Sequence, residues 1–579
     1  MRRLLGYLLR YRWRYGAGAA CLLITASLAM AVPYLLKHAI DAIGQGAPAA
    51  QVTGYACWIV VIAIVQAVVR TCSRVLIFNV GRDVEYDLRN DLFAHLQRLP
   101  VAYYQEQQTG DLLSRLINDV TAVRMLLGPG MLNFVNTPVY YAYGIAIMFT
   151  LDARLTVAAL LPYPLLLAVA RRFGRRLMEH TLRVQQGLAD MSSRVQENLS
   201  GMHVVRAYAA EARETAAFAA LNERFKDDSM QLARVRGQMM PVMKTAASLG
   251  TLVVLWYGGV GVIHGRLSLG DLVAFIAYLN LLAWPTMALG WMLSILQRGR
   301  AAMSRLEHIF SAPPGIGDAP APHVPPAVRG HVEFRSVDFA YRSPDNGHRV
   351  LDRISFRVEP GQVLALVGRT GTGKSTIARL LPRLFEAGGG QILLDGHDIR
   401  DWPLTQLRRS IGFVPQDPFL FSTTVRANIS FAREDALDAD IYQAAAVAGV
   451  AGDIASFPRR YDTIVGERGI TLSGGQRQRL TLARAVLANP RILILDDALS
   501  SVDIRTERAI LAALEAVMRE RTSIIIAHRI STIQRADIIA VIDDGHIVEM
   551  GNHATLLARD GLYAALFRQQ HLEEELAEL

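Results

Sequence analysis

The sequence predicts two fold classes in series: an all-α transmembrane domain of six helices with long cytoplasmic extensions, then an α/β domain on a largely parallel sheet. Three observations carry this. Hydrophobic residues make up 51% of the 579-residue chain, too large a share for a wholly soluble multidomain protein. The apolar stretches long enough to cross a bilayer all precede Arg298. Ser311–Gly330, SAPPGIGDAPAPHVPPAVRG, is rich in proline and glycine and lacks periodicity, and beyond it short apolar strands alternate with helical patterns. The expected boundaries are therefore 1–310 for the membrane domain, 311–330 for the linker, 331–568 for the α/β domain and 569–579 for an acidic C-terminal helix or tail.

In chain order, Leu4 to Tyr15 is basic and amphipathic with Trp13 among tyrosines, the mixture that lies in a membrane interface. No small-residue cleavage site stands out after it, so the first apolar run reads as a retained membrane helix. Six spans are expected, at Ala17–Leu36, Val52–Val69, Met131–Leu151, Leu155–Val169, Val242–Ile263 and Leu272–Leu296. Pro162 and Pro164 interrupt the fourth. Three connections are short and lightly charged, whereas Arg70 to Gly130 and Arg171 to Gly237 are long and charged, which under the positive-inside rule places these two and both termini in the cytoplasm. Both long connections have helical spacing, as in DVEYDLRNDLFAHLQRL, and each is broken once, at Pro100 to Gly110 and near Ser200 and Gly201, to give a short helix facing whatever lies below. The net charge of +9 is spent beside apolar segments, at the N-terminus and at Arg171, Arg172, Arg175 and Arg176, which favours a membrane protein over a nucleic-acid binder. Cys21, Cys57 and Cys72 form no C-x-x-C pair and read as packing residues.

The second half carries the chemistry. VEFRSVDFAY, VLDRISFRV, QVLALVG, ILILDD, SIIIAH and IIAVIDDGHIVEMG read as strands of the α/β sheet. Gly368 to Ser375, GRTGTGKS, follows QVLALV and opens a helix, the context of a phosphate-binding P-loop. Its glycines let successive amides curl around phosphate oxygens, Lys374 adds charge at the β and γ positions, and the Ser375 hydroxyl can ligate Mg²⁺. Asp496 closes a continuous apolar strand, where a carboxylate can partner the magnesium. That strand belongs to a longer run, LSGGQRQRLTLARAVLANPRILILDDALSSVD, Leu472 to Asp503. Its Ser473, Gly474 and Gly475 leave the backbone bare enough to approach an anion at the start of a helix.

With these motifs in this order the chain resembles the ATP-binding cassette family, specifically exporters that fuse a six-helix membrane domain to one nucleotide-binding domain. The resemblance implies ATP and Mg²⁺ as ligands. It makes Gly368, Arg369, Thr370, Gly371, Thr372, Gly373, Lys374, Ser375 and Thr376 the Walker A loop, and Asp496 the Walker B aspartate. It makes Gln416 the Q-loop glutamine and His528 the switch histidine, and sets Tyr341 against adenine. Ser375, Gln416 and Asp496 would serve the metal, and Asp497, His528 and Gln416 the hydrolysis. The signature Leu472, Ser473, Gly474, Gly475 and Gln476 would face a partner's ATP, and Ser500, Ser501, Val502 and Asp503 would form the D-loop. Thr463 to Gly469, TIVGERG, resembles the exporter loop that touches the membrane domain. One copy of each motif implies a dimer.

One position departs from the pattern. Most family members carry glutamate after the Walker B aspartate, whereas this chain has Asp497, one methylene shorter. Losing a positioned general base costs about 10²- to 10⁴-fold. LDDALSSVD with an acidic C-terminal helix resembles the aspartate-bearing half of heterodimeric bacterial multidrug exporters, in which a weakly hydrolysing site is paired with a competent one. A homodimer of slow sites is the alternative, and a lipid flippase or a non-transporting regulatory scaffold shares the architecture. An importer is disfavoured by the exporter order of the fused domains. In QQHLEEELAEL, Leu572, Leu576 and Leu579 share a helical face that either zips against a basic partner helix or frays. Arg70, Asn79, Asn133 and Asn136 are polar groups in or near spans, and Lys244 sits near a span end. Tyr140, Tyr141, Met148 and Met292 are either cavity lining or packing, and no position is singled out as a substrate contact.

Overall fold

The computed structural model describes residues 2–323, 327–341, 349–466, 469, 472–527 and 533–578. The chain forms two compact units: Met1–Gln97 with Gln108–Ala312, and Arg98–Gln107 with Pro313–Leu579.

The first unit is helical throughout. Among the described residues, four helices are long and apolar enough to cross a membrane: Arg12–Gly44, Ala49–Leu96, Glu211–Ile263 and Leu269–Ser311. The other two expected spans are less simple. Met131–Leu151 is one helix of 21 residues, whose Asn133, Asn136 and tyrosines dilute its apolar content. The fourth expected span, Leu155–Val169, is not a single helix. Asp152 caps a short helix, Ala153–Leu160, by accepting from the Leu155 amide at 2.7 Å, and a turn at Leu161 and Pro162 precedes the long helix Tyr163–Ser200. Pro162 has no amide hydrogen to continue the ladder, so the break falls there.

Packing decides several residues that sequence left open. Tyr140 and Met148 are buried with Met30, Phe275, Tyr278 and Leu282 in one apolar cluster, and Tyr278 donates to the Met30 carbonyl at 2.9 Å, so these two are packing rather than lining. Asn133 donates to the Pro129 carbonyl in the turn just before its helix, and Tyr141 bonds Thr286. The expected interfacial segment, Leu4 to Tyr15, is the helix Arg2–Arg10 and the first turn of Arg12–Gly44 with a break at Tyr11, and Tyr7, Tyr11 and Arg14 tie it to Asp91, Asp87 and Asp83, one turn apart on Ala49–Leu96. Leu5, Leu9 and Trp13 remain exposed on it and just beyond it.

The two expected breaks in the long connections are present. Val101–Glu106 and Met202–Ala207 are short helices of six residues each. The first belongs to the second unit, where Ala102 packs against that unit's apolar core, although the chain on either side of it belongs to the first.

The second unit holds two sheets. Strands β1 (Val332–Ala340), β2 (Arg349–Val358), β4 (Gly389–Leu394) and β5 (His397–Asp398) form an antiparallel sheet in the order β2-β1-β4-β5. This separates VEFRSVDFAY and VLDRISFRV from the parallel sheet with which they were read; their alternating burial marks strands with one face on the core. The other sheet runs β10-β9-β3-β8-β7-β6, with β3 (Val363–Val367), β6 (Ile411–Val414), β7 (Ile492–Asp496), β8 (Thr522–Ile526) and β9 (Ile538–Asp543) parallel and β10 (His546–Gly551) antiparallel at its edge. β7 and β8 are buried at every residue, as strands covered on both faces must be. The carboxyl ends of β3, β6, β7 and β8 therefore open on one edge of the sheet, where α/β proteins hold ligands. The C-terminal segment is a helix, Leu562–Glu578, with Leu572 exposed; Leu579 and the side chain of Leu576 lie outside the described residues.

Candidate functional site

At that edge a cavity of about 300 Å³ is lined by Tyr341, Val350, Thr370, Gly371, Gly373, Lys374, Ser375, Thr376, Gln416, Asp496, Asp497 and Ile526. Most residues of the loop after β3, the strand end of β7 and the loop after β6 that were singled out in sequence thus meet in one place. His528, together with Glu467 and Arg468 of the TIVGERG segment, lies outside the described residues.

The loop is shaped by its glycines. Gly373 has φ +98°, and a Cβ there would lie 2.6 Å from Leu351 Cδ2, so only glycine lets the chain turn into the helix Lys374–Leu380 so close to β2. Lys374 is buried, and its Nζ donates to the carbonyls of Gly368 at 2.8 Å and Arg369 at 2.7 Å, which arches the loop over the ammonium. Burial lowers its pKa, opposed by Asp496 and Asp497. Arg369 and Thr372 are joined within the loop, the threonine hydroxyl donating to the arginine carbonyl at 2.9 Å.

Ser375 and Asp496 form the polar floor. Ser375 Oγ donates to Asp496 Oδ1 at 2.8 Å, while Oδ2 is buried with no hydrogen-bond partner among the described residues. An oxygen in that position suits a hard divalent cation, which takes hydroxyl and carboxylate oxygens, so the donor set fits Mg²⁺. Burial raises the Asp496 pKa above the ordinary carboxylate value, and the Ser375 hydroxyl opposes the shift. Asp497 has left-handed backbone, φ +49°, a conformation aspartate tolerates better than most residues, and its amide donates to the Ile526 carbonyl at 2.9 Å. Gln416 is exposed at the cavity mouth. Tyr341 is half-buried with its edges against Phe339 and Phe385, at centroid distances of 4.8 and 5.3 Å, and its hydroxyl bonds Thr376 Oγ1 at 3.1 Å.

The signature does not line this cavity. Ser473 caps the helix Gly474–Leu487 by a capping box, its Oγ accepting from the Gln476 amide at 3.2 Å while Gln476 Oε1 accepts from the Ser473 amide at 3.0 Å. Gln476 Nε2 also donates to Asp453 at 2.9 Å, so both ends of its amide are engaged within the chain. The bareness of Gly475 has a local cause as well: a Cβ there would lie 2.9 Å from the carbonyl of Ser501 in the D-loop. Val502 is buried, and Asp503 caps the helix Ile504–Met518 through the Thr506 amide at 2.9 Å. Two residues that sequence reading missed hold this arrangement. Asp453 joins Gln476 to Arg479, which donates to it at 2.8 Å, and Gln478, almost fully buried, reaches the D-loop. A glutamine at helical spacing from the signature carries no sequence signal for a contact made across the fold.

Residues 15–286 match the model of the ABC transporter transmembrane region, and residues 351–500 match the ABC transporter model. The multidrug resistance-like ATP-binding protein MdlA of Escherichia coli is 37% identical over 99% of this chain and 97% of its own length. An ATP-dependent lipid A-core flippase of Syntrophus aciditrophicus is 34% identical over 98% of this chain and 93% of its own. Among solved structures, a bacterial Atm1-family ABC exporter with ATP bound superposes with a TM-score of 0.80 at 31% identity, over 96% of this chain and 98% of that one.

Proposed function

Because this chain belongs to the ABC transporter family, with membrane region and ATP-binding cassette fused in one polypeptide, we propose that it is one half of an ATP-driven exporter of hydrophobic or amphipathic compounds. It is a multi-pass membrane ATPase coupled to transport, and we place it in a bacterial inner membrane with both termini cytoplasmic. The observation that carries the reading is the cavity that gathers the P-loop, Asp496 and Gln416 in a chain whose other unit is membrane helices.

In this reading the loop amides and Lys374 hold the ATP phosphates, and Tyr341 offers an apolar ring to the adenine. Ser375, Asp496 and Gln416 would hold Mg²⁺, which when bound would supply charge that offsets the phosphates. Asp497 orients the attacking water from a side chain one methylene shorter than the usual glutamate. His528 would contact the γ-phosphate. Two chains would close around two ATP molecules, the signature of each, Leu472 to Gln476, completing the other's site, and D-loop residues Ser500 to Asp503 lining the seam. The short helices near Tyr104 and Ser200 would carry closure to the membrane helices. We further propose that the partner is a distinct subunit with a glutamate after its Walker B aspartate, this chain's own site hydrolysing weakly.

The test is reconstitution in liposomes with ATP-dependent uptake of an amphipathic dye. Lys374→Ala should weaken ATP binding at this site and cut uptake. Asp497→Ala should change ATPase far less than loss of the partner's carboxylate; abolition of turnover by Asp497→Ala alone would overturn the asymmetric dimer. A flippase is the second reading, favoured by the likeness to the lipid A-core flippase, and it predicts ATPase stimulation by lipid rather than by dyes.

A further inference from the structure

We infer that Gln478 is a positioning residue that couples the signature to the carboxylate position of the chain's own nucleotide site. The inference rests on the proposed function, because it concerns how one cassette serves two sites. Gln478 is 2% exposed, and its amide is used at both ends. Nε2 donates to Ser500 Oγ at 2.9 Å, and Oε1 accepts from the Ser501 amide, also at 2.9 Å. Ser500 Oγ in turn donates to the Asp497 carbonyl at 3.1 Å. A relay therefore runs from the helix that begins with the signature, through one side chain and one hydroxyl, to the backbone of Asp497.

The geometry resists slack. The Ser501 carbonyl sits where a Gly475 Cβ would come within 2.9 Å of it, so loop and helix start cannot slide past each other without a clash or a lost hydrogen bond. Asp497 is held in left-handed backbone, a sparsely populated conformation that persists only where the surrounding contacts fix it. A movement at the nucleotide's edge that shifts Asp497 thus shifts Ser500, and through Gln478 the start of the Gly474–Leu487 helix. Buried polar links of this kind are strict, because breaking one leaves its partners unsatisfied. Gln478 itself touches neither nucleotide nor metal. Its role is to make the two functional loops one body.

The experiment uses the full chain in lipid nanodiscs, as wild type and as Gln478→Ala and Gln478→Glu. Amide hydrogen exchange is read at residues 473–476 and 500–503 with and without Mg·ADP, which lacks the γ-phosphate on which a partner's signature would close. A response at 473–476 must then travel within the chain. In the wild type both segments should gain protection; in Gln478→Ala only 500–503 should. The glutamate variant keeps the acceptor for Ser501 but not the donor to Ser500, so it should fall between. Steady-state ATPase provides the second readout: kcat should fall about fivefold or more in Gln478→Ala while KM for ATP stays within about twofold, the signature of an interaction made after binding. Equal behaviour of wild type and Gln478→Ala at 473–476 would overturn the inference, including the case in which neither responds. A wild-type chain that exchanges as expected but hydrolyses no ATP even when reconstituted with its partner subunit would instead sink the exporter reading and leave the link through Gln478 standing.

Discussion

Asp496 sits at the end of β7 with one oxygen bonded to Ser375 and the other buried without a partner among the described residues. Its pKa is raised, chiefly by burial, so the folded chain favours the neutral acid. The sign follows from linkage: the stability this preference gives is fully present below the ordinary carboxylate value and is lost as pH rises through the raised one. At neutral pH the ionised group is therefore a burden on the nucleotide-free protein. Asp496→Asn, neutral at every pH, should raise the melting temperature at pH 7.5, a gain of about 1 kcal/mol or more, and the gain should vanish towards about pH 4. With saturating Mg·ATP the order should reverse, since ligand at about 100 times its Kd stabilises the native chain by about 2.7 kcal/mol, and the variant would forgo much of it. A variant no more stable than wild type at pH 7.5 would show that Lys374 and Arg379 already neutralise the carboxylate.

The helix Gly474–Leu487 shows what a linear motif can and cannot tell. Its start was legible because a capping box is a local pattern, Ser473 followed three residues later by Gln476, and the P-loop was legible because strand, glycines, lysine and helix are adjacent in sequence. The packing reason for Gly475 was not legible, since it depends on where the Ser501 carbonyl falls, and neither was the pairing of Asp453 with Gln476 and Arg479. The same limit applies in the first unit. Periodicity found the spans, but whether Leu155–Val169 is one helix depended on which of Pro162 and Pro164 ends the ladder. The glycines separate by contact. A Cβ at Gly475 would meet a backbone oxygen at 2.9 Å, whereas at Gly474 it would meet Ser501 Cβ at 3.3 Å. Gly475→Ala should therefore cost about 1–3 kcal/mol by denaturant or thermal unfolding, and Gly474→Ala less. Equal costs would mean that the D-loop yields freely, and the rigid link through Gln478 would lose its support.

At the scale of the whole molecule the informative segment is Arg98–Gln107, which belongs to the cassette unit while the helices that flank it, ending at Leu96 and resuming at Thr109, belong to the membrane unit. Ala102 packs against the cassette's apolar core, and Gly315 lies close enough to Pro100 that a Cβ would touch it at 3.5 Å. In the proposed exporter this segment, covalently continuous with a 48-residue helix and packed into the ATP-binding unit, would serve as the mechanical link, its small side chain setting how closely it seats. Ala102→Glu should place a charge against that apolar surface and loosen the seat without touching the nucleotide cavity. ATP affinity, measured by a fluorescent analogue on the full chain, should stay within about twofold, while substrate-stimulated ATPase falls towards the basal rate. Ala102→Ser, of nearly the same volume, should keep most of the stimulation. If Ala102→Glu instead lowered ATP affinity and left the ratio of stimulated to basal activity intact, the segment would be a structural part of the cassette and the coupling would have to run elsewhere.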